Sequence, residues 1–344
     1  MQNQISTVVK GVDFYVPNKV VSNDELSKLM NTSDEWITER SGIKERRFAD
    51  ENTSTSELGF FAAQKVLKKT GLIAKDLDLI LTATLTPDYF FPGIGVQIQT
   101  QLGAPNIPAI DIRGQCSGFG WSLATADAFV RSGLYKRILI VGAELQSRAL
   151  EMSDRGRNVA VLFGDGAGAM ILEAQELKEL PTAKNKVRGL IDHILGSDGS
   201  GAEYLAIQRP GFSKGHPELI SVKETEEKAY LPYMDGRQVF RNAVSQMIKI
   251  AEELCKRNGI DPSDIDIVIP HQANLRINEA VRDKLGIASE KVFNNIQKYG
   301  NTTAATLPIA MTEAEEQGKL KKGDLVMTLV FGAGFTWGAS LLRW

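Results

Sequence analysis

The chain has 344 residues, 43% of them hydrophobic and 24% charged, with a formal net charge of −2. That balance argues against a nucleic-acid partner, which calls for a basic excess, and no apolar run approaches the roughly 18 residues of a membrane span. Two cysteines in so long a chain make no disulfide framework, and the opening residues MQNQISTVVKGVDFYVPN carry no charged-then-apolar leader, so a reducing, cytoplasmic setting is expected.

Read in chain order, short apolar strands alternate with helical stretches. SELGFFAAQKVLKKTG predicts a helix stopped by glycine, and DLDLILTAT (76–84) and IPAIDI (107–112) predict buried strands. SLATADAFVRSG is the next helix, followed by the strands RILIVGA (137–143) and GAMILEA (168–174). A polar, loop-like stretch covers 175–235. Beyond it come the helix QVFRNAVSQMIKIAEELCKRNG, the strand DIDIVIP (264–270), the helix RINEAVRDKLG and the strand LVMTLVFG (325–332). Runs rich in Ile, Val and Leu, bounded by Gly, Pro or charge, are the mark of strands covered on both faces. The alternation predicts an α/β fold with mostly parallel strands.

The chain also echoes itself. KKTGLIAKDLDLILTA (68–83) resembles KRNGIDPSDIDIVIPH (256–271), with Gly71, Asp76 and Asp78 matching Gly259, Asp264 and Asp266 at a spacing of 188. Gly133 matches Gly318 at a spacing of 185, and GAMIL (168–172) matches GASLL (338–342) as a late strand. Two copies of one α/β unit are therefore expected: 1–174, then a connection and insertion over 175–235, then 236–344. A spacing of 185 sets Cys116 opposite Asn301, and one of 188 sets Ala83 opposite His271. Ligands of open α/β sheets bind beyond the carboxyl ends of strands, so these strand ends are expected to converge on one cavity.

Cys116 follows the strand IPAIDI and a glycine-containing turn, and a helix starts at or just after it. A thiol near the positive end of a helix is expected to have a lowered pKa and to serve as a nucleophile. His271 follows an apolar strand and a proline, where its Nε2 can donate to an oxyanion. Asn301, in QKYGNTTAATLPIAM, offers a neutral amide donor, or alternatively caps a helix. The glycine-rich tail FGAGFTWG has backbone N–H groups able to bind developing negative charge. FGDGAGAMIL (163–172) lacks the helix that a dinucleotide site requires. Cys255, in a charged helix, and His193 and His216 are expected to be structural or solvent-facing.

Taken together, TSDEWITERSGI (32–43), the Cys116 turn, SDRG (153–156), FGDGAGA, PHQANLRI (270–277), YGNTTAA (299–305) and FGAGFTWG (331–338) resemble, in order and over nearly the whole chain, the β-ketoacyl-[acyl carrier protein] synthase III family. The resemblance implies a thiolase-like fold of two pseudo-symmetric α/β halves in a layered αβαβα arrangement. It implies a ping-pong decarboxylative Claisen condensation, in which an acyl-CoA primer and malonyl-acyl carrier protein yield 3-oxoacyl-acyl carrier protein, CoA and CO2. Cys116 would carry the acyl group, with the backbone N–H groups of Cys116 and Ala333 as the oxyanion hole. His271 and Asn301 would stabilise the enolate. CoA would bind through Thr32, Trp36, Arg40, Arg155 and Asn274, with its adenine between Trp36 and Arg155. Arg276 would meet the acidic carrier protein, and Phe91 would shape the acyl pocket across a homodimer interface. No metal or redox cofactor is implied. Two alternatives stand beside this one: an acyltransferase or thiolase-like enzyme without decarboxylation, and a non-catalytic acyl-binding protein. Arg113 and Gln115 beside the nucleophile, the charged insert 215–234 and the aromatic DYFFPG depart from the family pattern and leave the primer open.

Overall fold

The apolar runs become strands because helices cover them on both faces. The computed structural model describes residues 4–212 and 218–344. One sheet contains β1 (Gln4–Tyr15), β2 (Leu79–Ala83), β3 (Ala109–Asp111), β4 (Arg137–Glu144) and β5 (Gly166–Leu177), in the order β1-β5-β4-β2-β3. The other contains β6 (Gly189–Ser197), β7 (Ile267–Pro270), β8 (Leu325–Gly332) and β9 (Thr336–Arg343), in the order β7-β8-β9-β6.

The helices complete five layers. Apart from α1 (Asp34–Ser41), α2 (Thr55–Thr70) and α3 (Ile94–Leu102) pack outside the first sheet. Between the sheets lies α4 (Gly118–Arg131); α5 (Gly236–Asn258) and α6 (Leu275–Leu285) pack outside the second. The other central helix is α7 (Thr306–Glu316). Strand alternation sorts the side chains. Leu79 and Leu81 join Phe119 and Leu123 of α4 and Leu307 and Met311 of α7 in the central core, while Ile80 between them faces Leu58 and Val66 of α2. Each such burial stabilises by roughly 1.5–3 kcal/mol.

The internal echo is structural. Gly71 and Gly259 both end their helices in the left-handed conformation, at φ 71° and 60°. Asp76 caps the backbone N–H of Ile73 as Asp264 caps that of Asp261. The Asp78 carboxylate accepts from the backbone of Arg137 at the start of β4, and that of Asp266 from Leu325 at the start of β8.

Three expectations are corrected. First, four of the seven ladders in the two main sheets are antiparallel. The β8–β9 connection is a short bend rather than a helical crossover, and strands buried on both faces look alike in either direction. Second, 175–235 is not wholly connection and insertion: β6 lies within it, pairs with β9 and matches β1 of the first sheet. Third, the partner of Cys116 in the repeat is Ala304 rather than Asn301. The turns Gln115–Ser117 and Thr303–Ala305 correspond at a spacing of 188, each with a left-handed non-glycine residue, Gln115 at φ 49° and Thr303 at φ 46°. The spacing of 185 between Gly133 and Gly318 arises because α7 is three residues shorter than α4.

Candidate active site

The nucleophile turn is built from small residues at close quarters. A Cβ on Gly114 would sit 2.9 Å from the Gly118 Cα, so a side chain there blocks the turn that leads into α4. Cys116 lies in a 3₁₀ turn just before that helix, 7% exposed. The bend between β8 and β9 closes over it: a Cβ on Gly332 would lie 3.0 Å from the backbone nitrogens of both Cys116 and Ser117. Ser117 pins the two segments together by donating its hydroxyl to the Thr336 carbonyl at 2.9 Å. Gly332→Ala is expected to push the bend away and slow enzyme acylation on the order of ten- to a hundred-fold. Burst kinetics of CoA release would show this, with unchanged circular dichroism confirming an intact fold.

The electrostatics at the sulfur correct the expectation of a lowered pKa. Burial, helped by the nearby Glu144 carboxylate, pushes the Cys116 thiol up to about 12. The backbone N–H groups of Cys116 and Ala333 both act on the sulfur in the opposite direction, favouring the thiolate. Proximity to a helix start is thus outweighed by desolvation, which disfavours the charged form.

His271 is 3% exposed. Its backbone N–H donates to Leu329, continuing the β7–β8 ladder, so the ring emerges at the strand mouth. Nδ1 lies 2.6 Å from the Thr306 hydroxyl, and Nε2 is buried without a partner among the described residues. Burial pushes the imidazole down to about 3, so it is neutral at physiological pH. The Asn301 backbone bonds to Leu162 and Gly164, and its Oδ1 accepts from the Thr303 N–H at 2.8 Å. Because a backbone N–H requires an acceptor, the carboxamide is oriented and its NH2 is left free to donate.

Cys116, His271 and Asn301 line one cavity of about 140 Å³. It shares Leu162, Met234, Gly236, Phe240 and Asn274 as walls with an outer groove of about 710 Å³ that carries Trp36, Arg40, Arg237, Arg241 and Arg276. On its other flank it shares Cys116, Phe163 and Leu205 with a third cavity of about 310 Å³. The nucleophile therefore stands where two passages meet. The described part of the insert borders both: Met234 lines the first and Pro232 the third.

The remaining expected residues lie as follows. The Arg155 guanidinium pairs with Glu151 at 2.8 Å beside a separate cavity. It is Arg157, 4.9 Å from the ring centroid, that stacks on Trp36, together with Arg40 at 4.5 Å. Thr32 is not among the residues lining the groove. Asn274 caps α6 by accepting from Arg276 N–H and donates to the Arg40 carbonyl. Phe91 is 81% exposed and lines none of the three cavities. Cys255 is buried in the α5 core. His193 bonds to Ser340 and Asp127, while His216 lies outside the described residues.

Sequence reasoning missed Glu144, whose only signal is an acid ending the apolar strand RILIVGA. Fully buried, it accepts from Leu85 N–H, the Thr86 hydroxyl and Ala304 N–H, tying the first sheet to the Asn301 turn. Burial raises its carboxyl to about 7. Thr306 and Arg157 were likewise missed, since nothing local marks them.

Comparison with known proteins agrees with this layout. The family model for 3-oxoacyl-[acyl-carrier-protein] synthase III matches residues 110–189, and that for the C-terminal part of 3-oxoacyl-[acyl-carrier-protein] synthase III matches residues 255–344. The β-ketoacyl-[acyl-carrier-protein] synthase III of Caldanaerobacter subterraneus subsp. tengcongensis is 42% identical, over 100% of this chain and 99% of its own. That of Clostridium tetani is 43% identical, over 96% of each. The crystal structure of 3-oxoacyl-[acyl-carrier-protein] synthase III from Aquifex aeolicus superposes with a TM-score of 0.86 at 40% identity, covering 98% of this chain and 100% of that one. Fold and relatives define a condensing acyltransferase of the thiolase-like class. Within that class the chain belongs to the β-ketoacyl-[acyl-carrier-protein] synthase III family.

Proposed function

We propose that this enzyme condenses an acyl-CoA primer with malonyl-acyl carrier protein through Cys116, His271 and Asn301. The observation that carries the assignment is their shared cavity, with an unpartnered imidazole nitrogen and a free carboxamide facing the space beside the thiol. In the first half-reaction the Cys116 sulfur attacks the primer thioester carbonyl. Its C–S bond to CoA breaks, and CoA leaves with the proton Cys116 gives up. The N–H groups of Cys116 and Ala333 hold the oxyanion. In the second, loss of CO2 from the malonyl group leaves an enolate, stabilised by donors from His271 Nε2 and Asn301 Nδ2. Its carbon attacks the acyl-Cys, forming the new C–C bond as the acyl C–S bond breaks, and the released Cys116 thiolate takes up a proton from solvent. Two neutral donors stabilise an enolate without protonating it, and the departing CO2 supplies the carbanion, so the scheme asks for no metal or redox group. Mixing acyl-CoA, radiolabelled malonyl-acyl carrier protein and enzyme tests the reading. The 3-oxoacyl product and CO2 are expected in equal amounts; acyl exchange without CO2 would replace it with the simple acyltransferase alternative.

Donation from Nε2 requires the Thr306 hydroxyl proton to point at His271 Nδ1. That hydroxyl has one proton, which in the resting arrangement it donates to the Thr303 carbonyl at 2.9 Å, so the proton must turn from that carbonyl to Nδ1 for Nε2 to donate. Thr306→Val is expected to lower malonyl decarboxylation about ten- to a hundred-fold, the usual cost of losing a residue that orients a histidine. Acyl-enzyme formation should change little, and Thr306→Ser should restore decarboxylation.

The surroundings support the wider reading. Arg237, Arg241 and Arg276 give the outer groove a positive rim suited to the CoA phosphates and an acidic carrier protein, with Trp36 beside it for the adenine. The segment carrying Phe91 lies against the edge strand β3, where Ile94 N–H donates to Asp111, and Ile110 there is 40% exposed. An apolar edge of this kind favours a homodimer in which Phe91 reaches the partner's acyl pocket. A cytoplasmic location fits the two reduced cysteines.

A further inference from the structure

The third cavity, which reaches Cys116 but shares no wall residue with the basic groove, is where a primer acyl chain lies if the synthase reading holds. Its lining combines apolar side chains such as Leu85, Phe163 and Leu205 with the polar Arg113, Gln115 and Gln146, and includes no acidic residue. Both Gln146 amide protons are already committed, to Glu144 at 3.3 Å and Thr303 at 3.4 Å. Arg113 and Gln115 differ. Among the described residues, neither side chain forms a hydrogen bond and Arg113 forms no ion pair, so the fold does not use them. Gln115 is also held at φ 49°. That conformation strains a residue with a Cβ and a glycine hardly at all. An arginine and a glutamine without partners among the described residues thus line the same cavity as the nucleophile. An aliphatic primer leaves these donors unanswered. A carboxylate answers them with charge-assisted hydrogen bonds, which arginine makes in matched pairs.

We propose that the primer loaded on Cys116 is a carboxylate-terminated acyl chain whose distal end is held by Arg113 and Gln115. The bonds made and broken in acylation are those given above, and the distal carboxylate takes no part in them. The inference rests on the synthase reading and deepens it.

The test uses the full chain and three isosteric pairs of thioesters: succinyl- against butyryl-CoA, glutaryl- against valeryl-CoA, and adipyl- against hexanoyl-CoA. CoA release gives kcat/KM for acylation, and intact mass reports the adduct on Cys116. In at least one pair the carboxylate member is expected to be favoured by about ten-fold or more, as a charge-assisted pair allows. Arg113→Leu should abolish or invert that preference, and Arg113→Lys should keep part of it. Arg113 is solvent-exposed, so neither change threatens the fold. Preference for the apolar member in every pair, or a ratio unmoved by Arg113→Leu, overturns the inference and leaves the synthase reading standing. Absence of a Cys116 adduct from all six thioesters, with acylation by acetyl-CoA or a longer acyl-CoA, overturns the inference alone; absence with every acyl-CoA overturns the synthase reading, and this inference with it.

Discussion

Replacement of Cys116 by Ala or Ser is expected to abolish acyl transfer from acyl-CoA, by at least about a thousand-fold, as loss of a covalent nucleophile does elsewhere. Intact mass spectrometry after incubation with acyl-CoA should show one acyl group on the wild type and none on either variant. Cys255 offers no substitute. It is 2% exposed in the α5 core, lines none of the three cavities around the nucleophile, and burial pushes its thiol up to about 11. The Cys116 environment adds a pH signature. With its thiol near 12, the thiolate is a minor species throughout the working range and grows with pH. Alkylation of Cys116 by iodoacetamide should therefore rise about ten-fold per pH unit between roughly pH 7 and 9, without levelling off. An acyl adduct on Cys255, or a plateau in alkylation near neutral pH, would sink the assignment of this thiol and its surroundings.

The second large effect divides the reaction in two. His271→Ala and Asn301→Ala are each expected to retain the acyl-Cys116 adduct while slowing condensation about a hundred- to a thousand-fold, the usual cost of one lost donor to a developing oxyanion. Each half-reaction has its own readout: acyl-enzyme by mass for the first, CO2 release from malonyl-acyl carrier protein for the second. The imidazole has no charged partner and is held down to about 3 by burial. Lowering the pH from 7 to about 5 should thus leave it neutral and add no ordinary histidine limb, near 6.5, to the condensation profile. Full condensation by the His271 variant, or loss of the acyl adduct in either one, contradicts this division of labour.

The residues proposed to carry the chemistry are marked in the local sequence. Cys116 after a glycine turn, His271 after an apolar strand and Asn301 in YGNTTAA stand out because the backbone around each must be special: a tight turn, a strand mouth, a constrained loop. The repeat was legible for the same reason. Gly71 and Gly259 are needed where helices stop, and Asp78 and Asp266 where strands begin. Such requirements are local, and so they are written in local sequence.

The sequence by itself therefore determined the α/β character, the twofold echo, the family and the three side chains proposed to react. Tertiary structure alone decided strand direction, the place of Gly189–Ser197 in the second sheet, the stacking of Arg157 on Trp36, the Glu144 carboxylate and Ala333 N–H beside Cys116, and the Thr306 hydroxyl beside His271. A burial pattern does not encode direction once both faces of a sheet are covered. A thiol's pKa depends on how much water and which carboxylate lie within a few ångströms, and those distances join segments as far apart as residues 116, 144 and 333.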